Sequence, residues 1–261
     1  LPPPSDLLPY ERSLSAGAVP RVKELVKGVL SASALPFGSL IRVATKEPAI
    51  ALTFDDGPHP DDTPPLLEIL ERHGARGTFF MVGRSARRWP ELVKRVAEGG
   101  HAIGNHTLDH LSMPLLAGRY RRKQIEWCDE ALAPYGTRLF RPPYGEQMPG
   151  SRLDALRTGH QVVFWDVVAE DWRDDPADVL LARIYRRLRR GSIVLLHDTL
   201  YTTVEEGWRD RAAMRAAVEQ LLIDLKDRYR FVTVPELLKL GRPYRWHKYH
   251  PARLDWLRQV K

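Results

Sequence analysis

The residues Ala49-Ile50-Ala51-Leu52-Thr53-Phe54 run directly into Asp55-Asp56-Gly57-Pro58. An apolar run closed by a turn signal reads as a buried strand. Two carboxylates then emerge at its C-terminal edge, where parallel α/β folds build their chemistry. Alone, the pair is equally a solvated Asp-Asp-Gly turn. Asn105-His106-Thr107-Leu108-Asp109-His110 changes that balance. Histidines four apart share one face of a helical turn, so both imidazoles reach one ion. Two imidazoles and one carboxylate form a three-ligand set that Zn²⁺ accepts, with a position left for water.

Three further stretches offer chemistry at strand ends. In Arg141-Pro142-Pro143-Tyr144-Gly145 the prolines stiffen the loop. Tyr144 keeps a backbone N–H that the prolines lack, and such an amide stabilises a developing oxyanion. Leu195-Leu196-His197 is an apolar strand ending in histidine. A lone histidine at a strand end is more often structural than not, but at the edge of a metal site it is a candidate general acid. Asp171-Trp172 follows another strand candidate.

The elements that must position these groups alternate along the chain. Strand patterns occur at residues 49–54, 77–82, 101–104, 139–141, 161–166, 192–197 and 230–234. Helical patterns occur at 63–73, 90–98, 117–132, 177–190 and 211–228. This α/β alternation predicts parallel βα units that close into a barrel or form an open sheet. Residues 1–47 read as an N-terminal extension, with a short helix over 22–30. Residues 48–240 form the main domain, and 241–261 a basic aromatic C-terminal extension. That tail is either laid over the barrel by its aromatics or offers a surface for glycan stacking. The arginines of 186–190 read as a solvated helix face.

Composition narrows the partners. Lys plus Arg is 40 against 33 for Asp plus Glu, a net charge of +7. A basic surface suits an anionic polymer of the cell wall, an acidic lipid or nucleic acid. No nucleic-acid motif supports the last. No apolar run reaches the roughly 20 residues that span a bilayer. The chain begins at Leu1 rather than Met, which reads as a processed or trimmed form and fits removal of a secretion signal. Cys128 is the only cysteine; it excludes an intramolecular disulfide and a thiolate cluster and reads as a buried, inert thiol. His59, His101 and His160 read as non-ligands.

Taken in order, Thr53-Phe54-Asp55-Asp56-Gly57, His106-Thr107-Leu108-Asp109-His110, Arg141-Pro142-Pro143-Tyr144, Asp171-Trp172 and Leu195-Leu196-His197 resemble the motifs of the polysaccharide deacetylases. This is the NodB-homology domain, or carbohydrate esterase family 4, and the resemblance covers about residues 49–240. It implies a distorted (β/α) barrel of about seven parallel strands and metal-dependent removal of acetyl groups from sugars. On that resemblance Asp56, His106 and His110 are the metal ligands, with Zn²⁺ first and Co²⁺ or another divalent ion next. Asp55 is the general base toward water, and Arg141 orients it. Tyr144 holds the oxyanion by its backbone N–H, and Trp172 walls the substrate groove. His197 is the acid that protonates the departing amine, and Leu195 meets the acetyl methyl.

The expected substrate is an N-acetylglucosamine polymer, peptidoglycan or chitin-like, acted on by an extracytoplasmic monomer. An O-acetyl xylan-type esterase and an inactive glycan-binding protein are the alternatives. One position departs from the family pattern: Val168 stands where an aspartate usually lies three residues before Asp-Trp. The resemblance therefore leaves His197 without its expected partner, and alternation does not show that Asp166 or Glu170 replaces it.

Overall fold

The computed structural model describes residues 38–203 and 209–252. The helix expected over 22–30 lies outside them. Seven parallel strands form one curled sheet in the order β6-β5-β4-β3-β2-β8-β7. These are β2 (Ala49–Asp55), β3 (Gly77–Met81), β4 (Ala102–Asn105), β5 (Gly136–Phe140), β6 (Gln161–Val162), β7 (Val167–Val168) and β8 (Ile193–His197). A short β9 (Arg230–Phe231) pairs with the start of β2. The expected distorted (β/α) barrel is thus present.

Every residue of β2 and β3 is buried, as central parallel strands covered on both faces require. Successive side chains of β2 point opposite ways. Ile50, Leu52 and Phe54 join the larger core under the helices, whereas Ala49 and Ala51 join a second core inside the curl. The helices over the larger core are α1 (Thr63–Arg72), α2 (Gly83–Arg88), α3 (Pro90–Glu98), α4 (Gly118–Leu132), α6 (Ala177–Arg187) and α7 (Ala212–Leu225); α5 (Pro149–Arg157) and α8 (Val234–Leu238) complete the described set. α1 turns Leu66, Leu67 and Leu70 inward, and α7 does so with Val218, Leu221 and Leu222. Cys128 is fully buried on α4, and burial pushes its thiol pKa far up.

Several boundaries differ from the sequence pattern for identifiable reasons. Of the strand expected over 161–166 only β6, at 161–162, forms; β7 follows at 167–168 on the opposite edge of the sheet. The Phe164 N–H donates to Leu40 O at 2.6 Å and the Asp166 N–H to Ile193 O at 3.2 Å, so the chain crosses between edges. The strand expected over 230–234 stops at Phe231. Thr233 and Glu236 there form a reciprocal capping box that starts α8.

Two strands fall in the stretches read as extensions. β1 (Ser39–Ala44) pairs antiparallel with β10 (Arg242–Trp246). β1 also bridges Val163, next to β6, and Ser192, at the start of β8, so it fills the gap between the sheet's edges. Gly191 permits this approach. It has φ +78°, and a Cβ there would stand 1.7 Å from Val43 O.

Candidate active site

Strand register assembles the site. Asp55 lies opposite His197 across β2 and β8 and opposite Phe80 across β2 and β3. Met81 pairs with Asn105, and Asn105 with Phe140. The polar residues at or just past the ends of β2, β4, β5 and β8 therefore share one edge of the curl.

Asp56, just past β2, adopts φ +83° and aims its carboxylate at two imidazoles. Its Oδ1 lies 3.3 Å from His106 Nε2 and 3.1 Å from His110 Nε2. All three side chains are buried, and their donor atoms lie within 4.8 Å of one another. The stretch 105–110 is not helical, contrary to expectation. Thr107 and His110 have φ +68° and +55°. The Asn105 side-chain oxygen accepts from the Thr107 N–H at 2.9 Å, and Thr107 Oγ1 accepts from the His110 N–H at 3.0 Å. These local bonds replace a helical turn and still bring the two rings to 5.0 Å.

His106 Nδ1 lies 2.7 Å from the carbonyl of Arg141. A carbonyl only accepts, so Nδ1 carries the proton and Nε2 presents its lone pair to the cluster. The donor set is thus two imidazole nitrogens and a carboxylate oxygen, of the kind a divalent transition ion takes. Burial pushes the Asp56 carboxyl up, but the neighbouring imidazoles, His110 first, outweigh it and hold the group well below the usual range.

Asp55 faces the same cavity with a different partner. Arg141, fully buried, donates from Nη1 to Asp55 Oδ1 at 2.6 Å and to Thr53 Oγ1 at 2.8 Å. Its Nε and Nη2 donate to the carbonyls of Val163 and Phe164. The guanidinium is thereby satisfied in several directions and fixes the carboxylate. Beyond it, Tyr144 sits in the Pro143–Gly145 turn with φ +60°. Its ring packs edge-on to His110, and its hydroxyl lies 3.3 Å from Thr202 Oγ1. Burial pushes the phenol pKa up to about 12.

On the opposite wall stands His197. The missing aspartate at Val168 does not leave it alone, which corrects the expectation. Asp171 Oδ1 lies 3.0 Å from His197 Nδ1, and Asp171 Oδ2 accepts from the His197 N–H at 2.8 Å. Arg211, also buried, donates to Asp171 Oδ2 at 2.5 Å and to the carbonyls of Asp171 and His197. Burial lowers the imidazole pKa, but the Asp171 charge and hydrogen bond outweigh it and raise the group to about 9. Trp172 packs edge-on to His197 at 5.6 Å.

The cavity among these groups measures about 180 Å³ and is lined by Asp55, Asp56, His106, His110, Tyr144, Trp172, Leu195 and His197. Every singled-out site residue except Arg141 lines it, and Arg141 lies directly behind Asp55. The three histidines read as non-ligands are engaged elsewhere. His160 Nε2 lies 3.1 Å from Asp129, the His101 ring accepts from the Gly77 N–H, and His59 pairs with Asp62.

Sequence reading missed the partnership of Asp171 and all of Arg211. It also missed the loop after β8, where the Tyr201 N–H donates to Asp56 Oδ2 at 2.9 Å and Asp198 accepts from the Gly57 N–H. The adjacent Asp171-Trp172 was the available signal for the first; nothing local marks the others. Among the described residues five non-glycine positions have positive φ: Asp56, Thr107, His110, Tyr144 and Glu170. Each is in the site or beside it, the usual location of backbone strain of about 1–3 kcal/mol.

Comparison with known proteins places this geometry. The family model described as "Polysaccharide deacetylase" matches residues 42–163. A peptidoglycan-N-acetylglucosamine deacetylase of Bacillus cereus is 37% identical over 208 residues, covering 76% of this chain and 91% of the relative. A chitooligosaccharide deacetylase of Azorhizobium caulinodans is 38% identical over 165 residues, covering 62% and 79%. Among solved structures, the Bc1960 peptidoglycan N-acetylglucosamine deacetylase superposes with a TM-score of 0.70 at 31% identity, covering 78% of this chain and 94% of its own.

Proposed function

This chain belongs to the polysaccharide deacetylase family, and we propose that it hydrolyses N-acetyl groups of an N-acetylglucosamine polysaccharide, peptidoglycan or chitin-like, releasing acetate. One observation carries the reading: a buried Asp-His-His cluster lies between an arginine-held aspartate and an aspartate-held histidine in one cavity. The activities carried in the names of both curated relatives support it.

Amide hydrolysis needs a nucleophile, charge relief at the carbonyl oxygen and a proton for a poor leaving group. Asp56, His106 and His110 would hold a divalent ion, Zn²⁺ first, which supplies Lewis-acid polarisation and acidifies water. Asp55, fixed by Arg141, takes the proton of the attacking water. The Tyr144 N–H receives the carbonyl oxygen as charge develops on it. His197, kept protonated by Asp171 through neutral pH, gives its proton to the departing nitrogen. Leu195 packs against the acetyl methyl, and Trp172 walls the sugar.

The paired His197 also bears on the alternatives. An ester substrate was attractive because an alcohol leaves without much help from an acid, and that help is present here. The intact set of groups likewise favours turnover over mere glycan binding. The net charge of +7 suits an anionic wall polymer and, with the relatives' peptidoglycan substrates, an extracytoplasmic place of action. No helix among the described residues is long and apolar enough to cross a membrane.

The test is acetate release by metal-stripped protein, with and without Zn²⁺ or Co²⁺, on N-acetylglucosamine oligomers, peptidoglycan and acetylated xylan in parallel. Metal-restored release from an N-acetyl substrate, abolished by Asp55→Asn, is expected. Release from xylan alone would move the assignment to an esterase. Silence on all three would overturn both.

A further inference from the structure

The end of the sheet away from the catalytic edge carries a different surface. Arg42 of β1 bridges Ser192, just before β8, whereas His197 closes β8 at the catalytic edge. At the usual strand rise those two ends of β8 are about 16 Å apart. The bridge is antiparallel, so β1 runs on from Arg42 farther from the catalytic edge, toward Lys46.

Four cations meet there. Across the ribbon Arg42 lies opposite Tyr244, and Ala44 lies opposite Arg242. Side chains two apart share a face, and Val43 between them is buried, so Arg42 and Arg242 stand on the outer face about 6.6 Å apart along the strand. Lys46 follows two residues past Ala44, and Arg190 donates from Nη1 to its carbonyl at 3.1 Å. The guanidinium of Arg42 is stacked 4.3 Å from the ring centre of Tyr244. Lys46, Arg190 and Arg242 are exposed. None of the four has a carboxylate within 4.0 Å among the described residues. The nearby acids are taken up, Glu47 by Arg230 at 3.4 Å and Asp166 by Arg189 at 3.3 Å. Elsewhere cations are commonly neutralised: Arg72, Arg76, Arg87, Lys94 and Lys123 each face a glutamate.

We propose that this row binds a linear polyanion, a phosphate-bearing polymer of the cell wall, while the cleft at the other end works on the neutral glycan. The choice of a wall polymer rests on the deacetylase reading. Unpaired cations in a row repel one another, and an anion whose charges recur along its length relieves that repulsion. Guanidinium groups suit phosphate because they donate to two of its oxygens at once. Separation from the catalytic edge lets one molecule engage both polymers, which raises the local concentration of glycan at the cleft.

The experiment titrates the zinc-loaded full chain with long-chain inorganic polyphosphate at several salt concentrations. A second arm measures binding to cell-wall sacculi before and after acid extraction of their phosphate polymers. The test variant is Arg42→Gln/Arg190→Gln/Arg242→Gln. The control, Lys94→Gln/Lys123→Gln/Lys226→Gln, removes the same charge from the helical surface. The test variant is expected to bind polyphosphate about tenfold or more weakly, with the slope of log K against log salt reduced by about 2–3. The control should bind like wild type, and all should match wild type in acetate release from the soluble N-acetylglucosamine pentamer. Lys46→Gln/Arg190→Gln leaves the Tyr244 stack alone and should show a smaller loss of slope, so the test survives if the triple variant fails to fold. Equal weakening in variant and control would reduce the effect to net charge and overturn the proposal. Wild-type binding to sacculi that survives extraction would overturn it too, as would tighter binding to a single-stranded oligonucleotide than to polyphosphate. Binding is read without turnover. A wild type that binds unextracted sacculi but releases no acetate removes the deacetylase reading and leaves the surface, whereas one that releases acetate but binds neither polymer removes the surface alone.

Discussion

Replacing Asp171 by Asn tests the acid assignment directly. His197 is buried, which alone would drive its pKa below 6.5, yet the Asp171 carboxylate 3.0 Å away, with smaller help from Asp56 and Asp55, raises it to about 9. Each pH unit is worth about 1.4 kcal/mol, so these carboxylates together, Asp171 first, outweigh burial by roughly 3 kcal/mol. Asn keeps the shape and removes the charge. It also leaves the buried Arg211 cation without its carboxylate, which disfavours a second positive charge at His197. The imidazole should then titrate at or below its ordinary value. In metal-saturated acetate-release assays, the alkaline limb of kcat/KM should move from near pH 9 to about 6.5 or lower. At about pH 7.5 the rate should drop roughly tenfold or more, because most of the acid form is gone. Lowering the pH should restore part of it. An alkaline limb that stays near pH 9, with a uniform loss of rate, would refute the view that His197 gives the proton and Asp171 sets its availability.

The same shift has a stability sign. A histidine raised above its unfolded value stabilises the fold fully below about pH 6.5, and the contribution disappears as pH rises through about 9. The Tm advantage of wild type over His197→Gln should therefore shrink between those limits; a constant difference would count against the ion pair. Arg141→Met removes a buried cation from beside Asp55 and should cost about 3–5 kcal/mol in urea unfolding, with acetate release lost as well. A loss under 1 kcal/mol would show that the pair is not what holds this edge. Chelation should abolish acetate release and added Zn²⁺ should restore it. His110→Ala should hold less metal per chain by elemental analysis, and an equal metal content would remove His110 from the ligand set.

Much of the site was legible because its groups sit where apolar runs stop. Asp55, Asp56 and His197 end buried strands, and a strand end fixes both direction and edge. Arg141 follows β5 in the same way. What escaped were groups that reach the site through space. Arg211 is 40 residues from Asp171 and precedes a helix whose pattern gives no hint of an ion pair. The backbone of 105–110 was misread because four-residue spacing is compatible with a helix, whereas Asn105 and Thr107 hold the loop by side-chain bonds that periodicity does not encode. β6 and β7 are two residues each, too short for alternation to separate from a single run. β1 and β10 escaped because each is recognisable only by its partner.

That last pairing bears on how the chain reaches its native state. Gly38 and Arg245, joined by a hydrogen bond at 3.0 Å, are 207 residues apart. From β2 to β6 the βα units pair with neighbours in sequence, which form with little loop-closure entropy, whereas β2–β8 and β2–β9 are already long closures. The β1–β10 ribbon has no such help. It is among the longest closures in the molecule, and nearly the whole described chain must exist before it forms. The curl should therefore fold first as an open sheet and be sealed late. A nascent chain halted before β10 would expose β1's outer backbone edge, a template for pairing between molecules.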